Sequence, residues 1–131
     1  MAKLTSEMKT MFEKQLAVIA TAGRDGTPNV GPKGSMYVVD DETLTYSEHT
    51  AGKTLTNLQE NSKVAVTVLD RDRADGYQVK GIAELLTSGD FFERVARRQE
   101  ERKRPRPTYV VKISIEEIYS VKPGMTAKKI A

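Results

Sequence analysis

Residues 62–70 (SKVAVTVLD) alternate between apolar and more polar side chains. Val64, Val66 and Val68 fall on one side of an extended chain, whereas lysine, alanine and threonine fall on the other. Because successive side chains of a strand point to opposite faces, this pattern predicts a half-buried β-strand. Such a strand needs neighbours, and the rest of the chain supplies candidates.

Further strand-like runs are separated by turn residues. The apolar run at residues 16–21 (LAVIAT) is followed by GRDGTP, whose glycines, aspartate and proline favour a hairpin turn. The return strand is expected at residues 29–39, interrupted at 31–34, and a third strand at residues 43–47. Residues 77–86 form another candidate, in which Gly81 predicts a bulge or a close backbone contact. Residues 109–115 and 117–121 are expected to form one strand or two.

Three short helices are expected at residues 5–14, 53–61 and 91–102. Thr5 or Ser6 is the candidate N-cap of the first helix and Asp90 that of the third, which Pro105 and Pro107 should stop. Consecutive hairpins favour an antiparallel sheet, and six or so strands in 131 residues favour closure into a small barrel. The predicted fold class is therefore mainly β, a single-domain split β-barrel with short helices.

Composition excludes several classes of function. The chain has no cysteine, so disulfides, thiolate metal sites and a cysteine nucleophile are excluded, and a cytoplasmic location is the default expectation. His49 is the only histidine and has no second histidine with which to complete a zinc site. No apolar run reaches 18 residues and the first 15 residues lack a secretory pattern, so we expect no membrane association.

Residues 45–58 (TYSEHTAGKTLTNL) contain the strongest candidate for a ligand site. A strand ends, Gly52 provides a turn, and a helix begins near Lys53 and Thr54. Helix N-termini bind anions through free amides, and here a lysine charge and a hydroxyl are added, so phosphate is the expected guest. The end of this segment matches a nucleotide-triphosphate loop, but Ser47 stands where that motif requires its first glycine. The plainer alternative is that Lys53 and Thr54 only make a helix start soluble.

The order and spacing of these segments resemble the flavin-binding core of pyridoxamine-phosphate-oxidase-like proteins over about residues 8–120. The resemblance implies that Lys53 and Thr54 hold the phosphate of flavin mononucleotide (FMN). It also implies that Gln78, in the segment QVKG, reaches the flavin of a partner subunit. Contacts along the flavin ring and ribityl chain are implied for two further strands, at Lys33, Gly34, Ser35, Met36, Thr45, Tyr46 and Ser47.

The same resemblance implies a homodimer with the flavin at its interface and an oxidoreductase or electron-carrier function. The electron partner would be a small molecule or a protein. The chain lacks tryptophan and has no histidine after His49, whereas the oxidase proper holds its substrate with such residues, so vitamin B6 oxidation is not expected. Two alternatives stay open: a non-catalytic module that stores flavin or pyridoxal phosphate, and a deazaflavin-dependent reductase.

A basic cluster surrounds the third helix and its exit, at Arg94, Arg97, Arg98, Arg102, Lys103, Arg104 and Arg106. Interleaved glutamates, including a Glu93–Arg97 pair at helical spacing, favour a solvated helix. No aromatic residues alternate with the arginines to stack on bases, so we expect no nucleic-acid binding. A third reading is that part of the cluster steers an anionic cofactor or redox partner.

Overall fold

The computed structural model describes residues 2–49, 52–122 and 128–131. These residues form three helices and a single antiparallel sheet of eight strands, which confirms the mainly β fold class. In chain order, the elements are α1 (Ser6–Lys14), β1 (Ala17–Ala22), β2 (Pro28–Pro32), β3 (Tyr37–Asp40), β4 (Thr43–Glu48), α2 (Lys53–Glu60), β5 (Lys63–Asp70), β6 (Asp75–Leu86), α3 (Asp90–Glu101), β7 (Tyr109–Ser120) and β8 (Lys128–Lys129).

The sheet follows the order β2-β1-β5-β6-β7-β4-β3, and β8 pairs with β7 outside this path. Its two end strands, β2 and β3, are consecutive in the chain and are joined by residues 33–36. The Lys33 amide donates to the Ala17 carbonyl of β1 (2.9 Å), and the Ser47 amide of β4 donates to Ser35 Oγ (3.0 Å). This short connection therefore draws the two sheet ends together without strand pairing, as in the predicted split barrel.

The barrel interior is filled by buried apolar side chains of β1, β4, β5, β6 and β7. Val64, Val66 and Val68 of β5 are buried, which confirms the face predicted from their alternation. Met8, Met11 and Phe12 of α1 join the same core. A second, smaller cluster contains the apolar face of α3 and Val110 of β7, with Leu86 of β6 and Tyr37 of β3 packed against it.

A β-bulge interrupts the pairing of β6 with β7. Lys80 pairs with Glu117 and Gly81 with Ile115, so Glu116 is the extra residue. A Cβ atom at Gly81 would overlap the carbonyl oxygen of Ser114, so only glycine fits there. The predicted close contact at Gly81 is confirmed, and β7 is one continuous strand.

The helix boundaries agree with the sequence at α1 and differ at α3. Thr5 caps α1 by accepting the Met8 amide (3.3 Å). The prediction of Asp90 as N-cap is wrong by one residue, because Gly89 occupies the cap and Asp90 is the first helical residue. The helix also ends before the prolines are reached, since the chain turns at Lys103, which has a φ of 58°.

Candidate functional site

The N-terminus of α2 lies at the end of β4, close to the β1–β2 hairpin. Its N-cap residue, Gly52, provides no side-chain hydrogen bond, and its first turn contains no acidic residue. The other two helices start differently: Thr5 caps α1, and Asp90 and Glu93 lie in the first turn of α3. Within the described part of the chain, α2 is therefore the helix whose partial positive charge is left uncompensated.

Lys53 and Thr54 are brought together at this start, as the sequence predicted. Lys53 is exposed, whereas Thr54 is buried and its Oγ1 accepts a hydrogen bond from Asn29 Nδ2 (3.1 Å). Since that bond uses a lone pair, the Thr54 hydroxyl hydrogen stays available to an incoming acceptor. We call this helix start the α2 corner. It combines the free amides of the first helical turn, the exposed Lys53 ammonium group and the Thr54 hydroxyl.

Asn57 holds α2 against the hairpin. It is fully buried, and its Nδ2 donates to Thr21 Oγ1 of β1 (3.1 Å). A Cβ atom on Gly23 would lie 2.8 Å from both Asn57 Oδ1 and Glu60 Oε1, so the hairpin backbone and the helix are in close contact. The packing of Asn57 against the β1–β2 hairpin therefore fixes the position of the α2 N-terminus.

A carboxylate lies near this corner. The Thr27 amide (3.0 Å) and hydroxyl (3.2 Å) donate to Asp25 and lower the pKa of its carboxyl, and the charge of Lys53 lowers it further. Asp25 therefore stays ionised and offsets part of the Lys53 charge in solvent. An anionic ligand must compete with this carboxylate for the lysine.

Lys33 is half-buried against β4. Its Nζ lies 3.1 Å from Glu48 Oε1 and 5.2 Å from the centroid of the Tyr46 ring. The side chains of Lys33 and Glu48 are only 18% and 4% exposed. A partly buried cation paired in this way contributes little positive charge to a surface site.

The remaining predicted residues of the two flavin-contacting strands are mostly buried. Tyr46 is in the core with an unpartnered hydroxyl, and burial raises its pKa well above the usual range. Thr45 Oγ1 donates to the Val111 carbonyl (2.8 Å), and Met36 belongs to the main core. These three side chains face protein, so contacts with a ligand at these positions would be made by backbone.

Gly34, Ser35 and Ser47 lie at the junction of the two sheet ends. Ser35 Oγ accepts from the Ser47 amide and donates to its carbonyl (3.3 Å), so each serine is positioned by the other. Gly34 is exposed, and a Cβ atom there would meet nothing within 4 Å. This backbone segment is open to a planar ligand.

Gln78 lies apart from the α2 corner. It is half-buried on the outer face of β6, where Thr67 and Tyr119 are its register partners. Because β5 separates β6 from β1, Gln78 stands two strands away from the hairpin that supports α2. Within one chain the structure does not bring it to the phosphate corner.

Sequence reasoning missed Asn29, Asn57 and Glu48. Asn57 gave no local signal, because it lies about 100° around the helix from Leu58 and about 160° from Leu55, the two leucines that define the apolar face. Glu48 gave no such signal, because its partner Lys33 is distant in sequence. The predicted Glu93–Arg97 pair was also wrong: the Glu93 carboxylate pairs with Arg106 instead (2.7 Å).

The described residues show no candidate metal site and no candidate membrane-spanning helix. Residues 2–49, 52–122 and 128–131 contain no group of three or more potential metal ligands close enough to hold an ion. None of the helices formed by these residues has the length and apolar character needed to cross a bilayer.

The fold and this corner define a split β-barrel protein with an uncapped helix start beside an exposed lysine. A family profile described as pyridoxamine 5′-phosphate oxidase matches residues 4–122, and the chain belongs to that family. An uncharacterized protein of Methanocaldococcus jannaschii is 37% identical over 133 residues, which are 98% of this chain and 87% of the relative.

Solved structures agree with this assignment. HupZ of Group A Streptococcus superimposes with a TM-score of 0.88 at 37% identity, over 94% of this chain and 98% of HupZ. An FMN-binding protein of Syntrophomonas wolfei shares the fold with a TM-score of 0.75 at 22% identity, over 87% of this chain and 83% of that protein. The recognition made from the sequence is therefore confirmed at the level of the family.

Proposed function

We propose that this protein binds FMN with its phosphate at the start of α2 and its ring along the Gly34 segment. The observation that carries the proposal is the uncapped helix N-terminus beside Lys53 and the Thr54 hydroxyl. A phosphate dianion there would accept hydrogen bonds from helix amides and from the hydroxyl, and would be attracted to the lysine. Helix amides, a hydroxyl and a lysine are therefore suitable donors for a phosphate dianion.

The neighbouring backbone suits the rest of the cofactor. Gly34 is open to solvent, and Ser35 and Ser47 fix the junction of the sheet ends. The side chains of Met36, Thr45 and Tyr46 are packed in the protein, so they keep this surface rigid while backbone groups contact the ring. When bound, FMN supplies the redox chemistry, and the chain needs to provide only binding, orientation and hydrogen bonding.

A second copy of the chain would complete the site. The outer face of the sheet carries Val30, Ala20, Ala65 and Lys80 as consecutive register partners across β2, β1, β5 and β6. Val30 is 66% exposed, and the two alanines beside it leave a shallow face. A two-fold contact on this face would cover Val30 and would present Gln78 to the flavin of the partner subunit.

The activity that we propose is flavin-dependent electron transfer, as an oxidoreductase or an electron carrier. The sequence contains no nucleophile elbow that would indicate hydrolysis, and a flavoprotein of this kind needs none. The electron partner is proposed to be a small molecule or a protein. The cysteine-free composition keeps the cytoplasm as the proposed location.

The test is a titration of the purified protein with FMN, followed by visible absorbance and by quenching of flavin fluorescence. Saturable binding at one flavin per chain, and oxidation of NADH or NADPH by the loaded protein, would support an oxidoreductase. Binding without turnover would support a carrier or storage module. Selective uptake of a deazaflavin, or no uptake of either cofactor, would contradict the FMN proposal.

A further inference from the structure

Glu48 is a buried carboxylate at the end of β4. Its side chain is only 4% exposed and lies on the same side of the strand as Leu44 and Tyr46, which belong to the main core. An ionised group in such surroundings loses much of its hydration, and a buried ion pair seldom stabilises a protein more than an apolar pair of the same size. The presence of a charge here therefore indicates a role other than stability.

Lys33 is the cation that faces this carboxylate, and its backbone is fixed on both sides. The Lys33 amide donates to the Ala17 carbonyl (2.9 Å), and the Lys33 carbonyl accepts from the Met36 amide (3.1 Å). The ammonium group lies 3.1 Å from Glu48 Oε1 and 5.2 Å from the centroid of the Tyr46 ring. Both charges are therefore held in defined positions with little exposure to solvent.

The negative charge of Glu48 acts on groups beyond its lysine partner. Burial raises the pKa of the Tyr46 phenol well above its usual range, and the charge of Glu48 raises this pKa further. Charges with little hydration are screened less than surface charges, so their effect extends over a longer distance. The ion pair can therefore influence a charged group that binds nearby.

The cation of the pair is adjacent to the segment proposed for the flavin ring. Lys33 immediately precedes Gly34, whereas Glu48 belongs to β4 on the other side of the junction. Reduction of the flavin adds two electrons from the donor and one proton at N5, so the neutral ring gains one negative charge, at N1. A nearby cation favours the reduced ring, and a nearby anion disfavours it.

We propose that Glu48 sets the reduction potential of the bound flavin by offsetting the charge of Lys33. This inference rests on the proposed FMN site. Glu48 is a positioning residue, since it holds the ammonium group in place and neutralises part of its charge. The α2 corner has a different role, because the charge of the phosphate is the same in both oxidation states. Lys53 therefore contributes to affinity and not to the potential.

The proposal is tested by measuring the midpoint potential of FMN bound to the full chain, by dithionite reduction beside a reference dye at pH 8. Glu48→Gln removes the offsetting charge and should raise the potential, because reduced FMN then binds about 10-fold more tightly relative to oxidised FMN. This factor is expected for unit charges about 10 Å apart in a protein, and it corresponds to about 30 mV for a two-electron couple.

Lys33→Met should shift the potential in the opposite direction. It removes the cation and keeps the Glu48 carboxylate, so the reduced ring is disfavoured and the potential should fall by a similar amount. The double variant Lys33→Met/Glu48→Gln removes both charges and should restore the wild-type ratio of the two affinities to within about twofold. Structural damage alone would not give single shifts of opposite sign that cancel in the double variant.

Glu116→Gln is the matched control, because it removes an exposed carboxylate from the β7 bulge. Tyr109, the register partner of Glu48, lies at the other end of β7, so the two carboxylates are about 20 Å apart along the strand. The ratio of the two affinities should change less than about twofold in this variant. In Lys53→Ala, both oxidation states should bind more weakly and the potential should stay unchanged.

The outcomes separate this inference from the proposed function. The inference is overturned, with FMN binding left in place, if Glu48→Gln has the wild-type potential or if both single variants shift it in the same direction. An equal shift in Glu116→Gln would also overturn it. Failure of the wild type to bind FMN would overturn the proposed function and this inference together.

Discussion

Lys33 Nζ lies 3.1 Å from Glu48 Oε1 at the end of the barrel, with the glutamate almost fully buried. The pair links the β2–β3 connection to the last residue of β4, which leads towards α2. Removing the lysine charge leaves the Glu48 carboxylate with less compensation in a poorly solvated place. We expect Lys33→Met to lower the free energy of unfolding by about 1–3 kcal/mol, measured by urea denaturation.

The double variant Lys33→Met/Glu48→Gln distinguishes electrostatics from packing. It should recover part of the lost stability, because the Glu48 charge is removed together with that of its lysine partner. If the double variant is as unstable as the sum of the two single variants, the ion pair has no coupling and this account of it is wrong.

Tyr46 tests whether a predicted flavin contact is made by its side chain. Its buried hydroxyl has no partner, so Tyr46→Phe should raise the free energy of unfolding by about 1 kcal/mol and leave FMN affinity unchanged. Thermal unfolding and an FMN titration measure both quantities. A loss of affinity with unchanged stability would show that the hydroxyl serves the ligand.

Gly23 tests the packing that positions α2. A methyl group there would lie 2.8 Å from Asn57 Oδ1, so Gly23→Ala should lower the free energy of unfolding by about 1–3 kcal/mol through overpacking. Gly34→Ala is the matched control, because its new methyl group meets nothing within 4 Å and its effect on stability should stay below about 1 kcal/mol. Equal effects of the two substitutions would mean that the contact with Asn57 carries no cost.

Val30 tests the proposed dimer. Val30→Asp places a charge on the outer face of the end strand β2, within the proposed contact, and should shift the protein to monomers in sedimentation velocity experiments, without unfolding it. Ile130→Asp alters another exposed apolar residue, beside β8, and should leave the assembly intact. A Val30→Asp protein that remains dimeric would place the interface elsewhere, and Gln78 would lose its proposed role.

The strands and the helix faces could be predicted because their signals are local. The alternation in β5 and the hydroxyl of Thr5 act over a few residues, so each gave the correct element. The sequence left open whether residues 109–115 and 117–121 form one strand or two, and the structure shows one strand because the bulge opposite Gly81 absorbs Glu116. Pairings between distant segments, such as Lys33 with Glu48 or Asn57 with Thr21, leave no local pattern and needed the structure.

The central claim, that an anionic cofactor group binds at the start of α2, is tested most directly by the FMN affinity of Lys53→Ala. The matched control is Lys14→Ala, which removes an exposed lysine from the last turn of α1. We predict a loss of about 1.5–3 kcal/mol in binding free energy for Lys53→Ala, which is about 10- to 150-fold in Kd, and no change for the control. Equal FMN affinity in the wild type and both variants would contradict the claim.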